Sequence, residues 1–148
     1  MIRPFIPSDL DTVMQIWLDG NISGHSFIAP QYWHSNFETV KSLLPQADVF
    51  VFEENGTIKG FIGIQDKTHI AGLFVSPSFQ GRGIGRKLIK TAKNSFSTLK
   101  LAVYRRNEKA VCFYSKQGFA VSREQTDQET GETEYIMTYS SSAKSKLK

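Results

Sequence analysis

The stretch Val75-Ser76-Pro77-Ser78-Phe79-Gln80-Gly81-Arg82-Gly83-Ile84-Gly85-Arg86 decides the fold. A hydrophobic strand, Ile70 to Val75, stops at Ser76-Pro77, and apolar residues then recur at helical spacing through Leu88, Ile89, Ala92 and Phe96. Glycines at 81, 83 and 85 alternate with Arg82 and Arg86 at the junction. A diphosphate needs several backbone N–H groups converging at the positive end of a helix, and glycine lets the backbone approach without a Cβ in the way. Two other nucleotide readings fail on spacing. A dinucleotide fingerprint counted from Gly81 requires glycine where Arg86 stands, and a P-loop requires a Gly-Lys-Ser/Thr run that does not occur. For the glycines alone, a flexible turn that starts a helix remains an equal reading.

Working outward, Ile2 to Phe5 reads as a short strand, and Ser8 has the chemistry of an N-cap for a helix carrying Leu10, Val13, Met14, Trp17 and Leu18 and ending near Gly20-Asn21. A loop with Gly24, His25, Ser26 and Phe27 leads to Pro30, which opens a second helix closed by Pro45. Val49 to Phe52 and Ile58 to Gln65 read as a hairpin around the Asn55-Gly56 turn. Beyond the central helix follow a strand at Leu99 to Tyr104, a helix from Asn107 to Lys116 ending at Gly118, and strands near Phe119 to Gln125 and Thr133 to Tyr139, joined by a polar turn at Asp127 to Glu132. The order β-α-α-β-β-β-α-β-α-β-β puts helices on both faces of a mixed sheet, an α/β (α+β) domain over residues 1–139.

A chain of 148 residues with 40% hydrophobic and 22% charged residues suits one domain with a real core. No apolar run is long enough for a membrane span, and the N-terminus turns polar too early for a signal peptide, which points to the cytoplasm. The single Cys112 excludes an internal disulfide, no Cys/His cluster has zinc spacing, and no metal is expected. The net charge of +4 hints at nucleic acid, but three of those charges, Lys144, Lys146 and Lys148, sit in a Ser/Lys stretch from residue 140 that reads as a basic, disordered tail. The rest is nearly neutral, so nucleic acid is disfavoured as a partner.

Val75-x-Pro77-x-x-Gln80-Gly81-Arg82-Gly83-Ile84-Gly85 resembles the acetyl-CoA pyrophosphate loop of the Gcn5-related N-acetyltransferase (GNAT) superfamily. Asn107-x-x-Ala110-x-x-Phe113-Tyr114-x-x-x-Gly118-Phe119 resembles that family's second motif, at the expected distance downstream. The segment Gly24 to Ile28 with Tyr32-Trp33 further resembles the small bacterial YiaC/YjaB-like branch. The resemblance implies a mostly antiparallel sheet of about seven strands and direct transfer of acetyl from acetyl-CoA to a primary amine in a ternary complex. It assigns cofactor contacts to the backbone around Leu73, Phe74 and Val75, to Gln80, Gly81, Arg82, Gly83, Ile84, Gly85 and Arg86, and to Asn107, Ala110 and Tyr114. Backbone near Leu73 would polarise the thioester carbonyl, and Tyr114 would protonate the departing thiolate as general acid.

An amine must lose a proton before it attacks, by a base or a water chain; His69 and His25 are the candidate bases, and His34 reads as a surface residue. The glutamate that many relatives place on the adjacent strand is not evident, Gln65 and Asp66 being the nearest polar residues. His25, Phe27, Tyr32 and Trp33 are candidate walls of the acceptor pocket. Cys112 lies about 160° around the helix from Tyr114 and reads as a small buried side chain, not an acyl carrier. Two rival functions stand beside the enzyme: a sensor that binds acetyl-CoA without turnover, and acetylation of aminoacyl-tRNA. The acceptor, which is a small molecule or a protein, and the choice between monomer and homodimer stay open.

Overall fold

The computed structural model describes residues 1–141. Its elements run β1 (Ile2–Pro4), α1 (Leu10–Gly24), α2 (Pro30–Leu43), β2 (Asp48–Glu54), β3 (Thr57–Gln65), β4 (His69–Val75), α3 (Ile84–Ser95), β5 (Thr98–Tyr104), α4 (Glu108–Lys116), β6 (Ala120–Thr126) and β7 (Thr133–Ser140). One seven-stranded sheet has the order β1-β2-β3-β4-β5-β7-β6. Every neighbouring pair is antiparallel except β4 and β5, which are joined through α3. The expected element order and sheet type are those of the structure. From residue 142 the expected tail lies outside the described residues.

Strand alternation sorts the side chains into two cores. On one face Leu99, Leu101 and Val103 of β5 meet Leu88, Ile89 and Ala92 of α3 and Tyr114 of α4. On the other, Val49, Val51 and Phe61 meet Val13, Met14 and Trp17 of α1 and Trp33 of α2. The β2–β3 hairpin forms as its sequence dictates: Asn55 and Gly56 both take positive φ, 55° and 75°, which a two-residue turn matched to strand twist requires.

Some boundaries differ from the sequence reading. Ser8 does not cap α1: Pro7–Asp9 form a 3-10 turn, and the buried Asp9 carboxylate accepts the Ile6 N–H while pairing with Arg3 at 2.8 and 3.0 Å. Nor does α1 stop at Gly20-Asn21. Gly20 is glycine because the Phe74 ring lies against it, with a Cβ there falling 2.5 Å from Phe74 Cδ1, and the buried Asn21 amide donates back to the Trp17 carbonyl. Cys112 is exposed, not buried. Tyr114 is the buried residue of α4, so a position nearly opposite it faces solvent.

Candidate active site

The site begins with a defect in the sheet. Between Gly63↔Gly72 and Ile64↔Ile70 the β3–β4 register shifts, leaving Ala71 as an extra residue on β4. The bulge lets Ile70, Leu73 and Val75 contribute to the same core despite their uneven spacing. Past it the strands part: β4 pairs with β5 only at His69↔Lys100, supported by Lys100 N–H donating to the Thr68 carbonyl at 2.9 Å. β5 goes on pairing with β7 and β4 with β3, so two strand edges diverge toward Val75 and Tyr104. A gap between parallel strands at their carboxyl ends accepts an extended, amide-bearing ligand as an extra strand.

At the mouth of the gap, Gly81 and Gly83 both have φ of 79°, in the left-handed region where a Cβ is costly, and Gly83 precedes the first turn of α3. A Cβ on Gly81 would meet nothing within 4 Å, so backbone conformation, not crowding, selects glycine there. The first N–H groups of α3 lack intrahelical partners and face an end lined by the exposed Arg82 and Arg86. Gly85 serves packing, a Cβ there falling 3.4 Å from Phe113 of α4. The Gln80 side chain donates to the Val75 carbonyl at 3.0 Å, which pins the end of β4.

α4 supplies the third side. Asn107 is its N-cap, Oδ1 accepting the Ala110 N–H at 3.3 Å. Tyr114 is buried in the core that also takes Leu73 and Val75 from β4 and Leu101 and Val103 from β5, edge-on to Phe113 and Phe119. Burial alone raises its pKa, so the hydroxyl is protonated at neutral pH.

The opposite face carries an aromatic cluster. His25, the C-cap of α1, stacks on Trp33 at 5.1 Å and meets Phe27 and Tyr104 edge-on. The turn between β6 and β7 is strapped over it: Tyr104 donates to Asp127 at 2.6 Å, Tyr32 donates to Glu129 at 2.8 Å, and Arg106 lies over the Phe27 ring while pairing with Glu132 at 3.0 Å. Burial pushes the Asp127 carboxyl up, but hydrogen bonds from Tyr104, the Glu129 N–H and Thr130 outweigh it and hold the group below its usual range. Burial first, then the carboxylate partners, raise the pKa of Tyr32 and Tyr104.

The structure thus draws His25, Phe27, Tyr32 and Trp33 into one cluster, and Leu73, Val75 and Tyr114 into one core. His69 stands apart at the closed end of the gap, about 13 Å along β4 from Leu73. Burial and then Lys100 lower its basicity, against an opposing pull from Asp66. His34 is exposed on α2. Sequence reasoning passed over Tyr104, Arg106, Asp127 and Glu129. The available signal was Tyr104 at the carboxyl end of its strand, out of phase with Leu99, Leu101 and Val103, facing a turn rich in acids.

A family model described as an acetyltransferase (GNAT) domain matches residues 21–140. The chain belongs to this family. It is an acetyl-CoA-dependent N-acetyltransferase. The chain is 34% identical over 140 residues to the peptidyl-lysine N-acetyltransferase YiaC of Escherichia coli, covering 94% of this chain and 96% of that protein. The solution structure of apo YjaB from Escherichia coli superposes with a TM-score of 0.82 at 28% identity, over 94% of this chain and 96% of that one. The structure of yncA from Salmonella typhimurium with its cofactor acetyl-CoA shares the fold with a TM-score of 0.69 at 18% identity, over 95% and 92% of the two chains. Among the described residues, no helix is long and apolar enough to cross a membrane, and no group of three or more His, Cys, Asp or Glu could hold a metal ion.

Proposed function

We propose that the GNAT family chain acetylates the side-chain amine of a protein lysine, by direct transfer between acetyl-CoA and the amine. The observation that carries this reading is the two-sided gap: positive backbone dipoles and arginines at one end, an aromatic cluster rimmed by Asp127 and Glu129 on the other. An anionic cofactor suits the first side. A long alkyl chain ending in a cation suits the second, because aromatic rings cover the methylenes while carboxylates attract the ammonium. The name of the relative YiaC, a peptidyl-lysine N-acetyltransferase, supports the same acceptor class.

The residues fit acetyl-CoA. Gly81 to Arg86 would hold its diphosphate through backbone N–H groups and the two arginines, and the unpaired edges of β4 and β5 and the Asn107 amide would hold its amide arm. Bound there, it supplies the thioester whose acyl group is transferred. Backbone around Leu73 polarises the acyl carbonyl, a contribution of roughly 3 kcal/mol per donor in comparable sites. When the amine nitrogen bonds to the acyl carbon and the carbon–sulfur bond breaks, Tyr114 would give its proton to sulfur and take another from solvent.

The proton lost by the amine goes to solvent water. His69 stands at the closed end of the gap and the Nε2 of His25 faces Asn107, so neither histidine is assigned that proton. The chain would work in the cytoplasm, as a monomer or homodimer.

A thiol-release screen with acetyl-CoA tests the assignment against lysine peptides, peptides with a free N-terminus only, polyamines and amino acids. Lysine peptides with a blocked N-terminus should be turned over fastest. Faster turnover of polyamines, or of N-terminal amines, would overturn the acceptor class while leaving the acetyltransferase intact.

A further inference from the structure

His25 has more hydrogen-bonding order than a pocket wall needs. Its backbone N–H and its Nδ1 both lie on the Asn21 carbonyl, at 3.1 and 3.0 Å, and a carbonyl can only accept, so Nδ1 carries the proton. Nε2 then has a free lone pair, 3.3 Å from Asn107 Nδ2. The orientation of that amide is fixed independently, because Oδ1 accepts the Ala110 N–H. Donor therefore faces acceptor in a chain running from the end of α1 to the first turn of α4. Asn21 is itself anchored, its amide donating to the Trp17 carbonyl at 2.9 Å. The imidazole is held between Trp33, Phe27 and Tyr104.

We propose that His25 is a positioning residue: in its Nδ1–H form it holds the Asn107 amide from the acceptor side of the sheet and so presets the cofactor side. The inference rests on the reading of Asn107 as a contact for the amide arm of the cofactor. It also removes His25 as the proton acceptor, since a lone pair occupied by Asn107 takes no proton from an amine. A protonated imidazole would point an N–H at an N–H and break the chain. Burial, the larger influence, lowers the basicity of His25, against the Asn21 bond that raises it, so the neutral form prevails at neutral pH. The charged or titratable groups around the cluster are already engaged: Tyr104 with Asp127, Tyr32 with Glu129, and Arg106 with Glu132. Cofactor affinity should therefore weaken as pH falls through the lowered pKa of His25, and not before.

Calorimetry with CoA on the full chain tests this without any acceptor. His25→Ala should weaken CoA binding about three- to tenfold, the worth of one hydrogen bond. His25→Gln, which returns an acceptor near the place of Nε2, should restore it to within about twofold. Adding His25→Ala to Asn107→Ala should cost nothing further. With an acceptor in hand, the KM for acetyl-CoA should rise in His25→Ala while kcat changes little. The inference is overturned if His25→Ala binds CoA like the wild type, or if kcat collapses in both His25 variants with CoA affinity intact, the pattern of a base. Should His25→Ala fail to fold, nitrogen NMR of the wild-type imidazole decides: the Nδ1–H form supports the inference and the Nε2–H form refutes it. A wild type that does not bind CoA would instead sink the cofactor reading itself.

Discussion

Tyr114 is buried, edge-on to two phenylalanines, and would be read as plain core if its hydroxyl did nothing. Tyr114→Phe separates the two roles, because it removes one oxygen and keeps the ring. Turnover should fall by about 10²–10⁴-fold with CoA affinity unchanged, whereas a purely structural tyrosine would leave kcat near the wild type. Gly20 carries a different prediction. A methyl group there meets Phe74 Cδ1 at 2.5 Å, and the ring is itself pressed against Gly72, where a Cβ would lie 3.0 Å from Phe74 Cε2. Gly20→Ala should cost about 1–3 kcal/mol in denaturant unfolding despite alanine's better helix propensity. At this scale the sequence was uneven. Asn107 and Tyr114 were singled out by the motif that resembles the GNAT family's, a pattern held within one helix and its N-cap. Tyr104 and Asp127 were not, because their bond joins positions 23 residues apart through a strand pairing that no local pattern encodes.

Among the elements, the turn before α3 was read from its glycines together with Val75, Pro77, Gln80 and the flanking arginines, and the positive φ at Gly81 and Gly83 supplies the physical reason for two of those glycines. Gly83→Asp puts a Cβ on a left-handed backbone and a negative charge at the helix N-terminus. The wild type should bind CoA in the micromolar range, roughly −8 kcal/mol, and calorimetry on the variant should show that binding lost while the fold persists. The β4 bulge was also latent in the sequence: Ile70, Leu73 and Val75 share a core only if one extra residue intervenes. The run-on of α1 past Gly20 was not, since the partner that explains that glycine lies on β4. The strapped β6–β7 turn yields a prediction for the acceptor side. Replacing Asp127 and Glu129 together by alanine should raise the KM for a lysine peptide about tenfold and leave that for acetyl-CoA unchanged, if the carboxylates meet the cation as proposed. Equal effects on both substrates would mean that the turn merely supports the fold.

For the whole molecule, the sheet is two antiparallel halves hinged at one parallel pair, and the proposed site lies where they part. The pH dependence follows from what faces that gap. Both His25 and His69 have lowered pKa, so a histidine base would be fully competent above pH 7 and kcat/KM for the amine would level off there. Proton loss to water instead makes the rate track the free amine, whose lysine pKa is near 10.4, and kcat/KM should rise about tenfold per pH unit from 7 to 9. The measurement that bears most directly on the central claim is acetyl transfer itself: the chain, acetyl-CoA and an N-terminally blocked peptide with a single lysine, followed by thiol release and by mass spectrometry of the peptide. Thiol should appear mole for mole with acetyl on the lysine Nε, and neither should appear with Tyr114→Phe beyond the residual turnover given above. Bound acetyl-CoA with no thiol released on any amine would contradict the account and leave a cofactor-binding module in place of an enzyme.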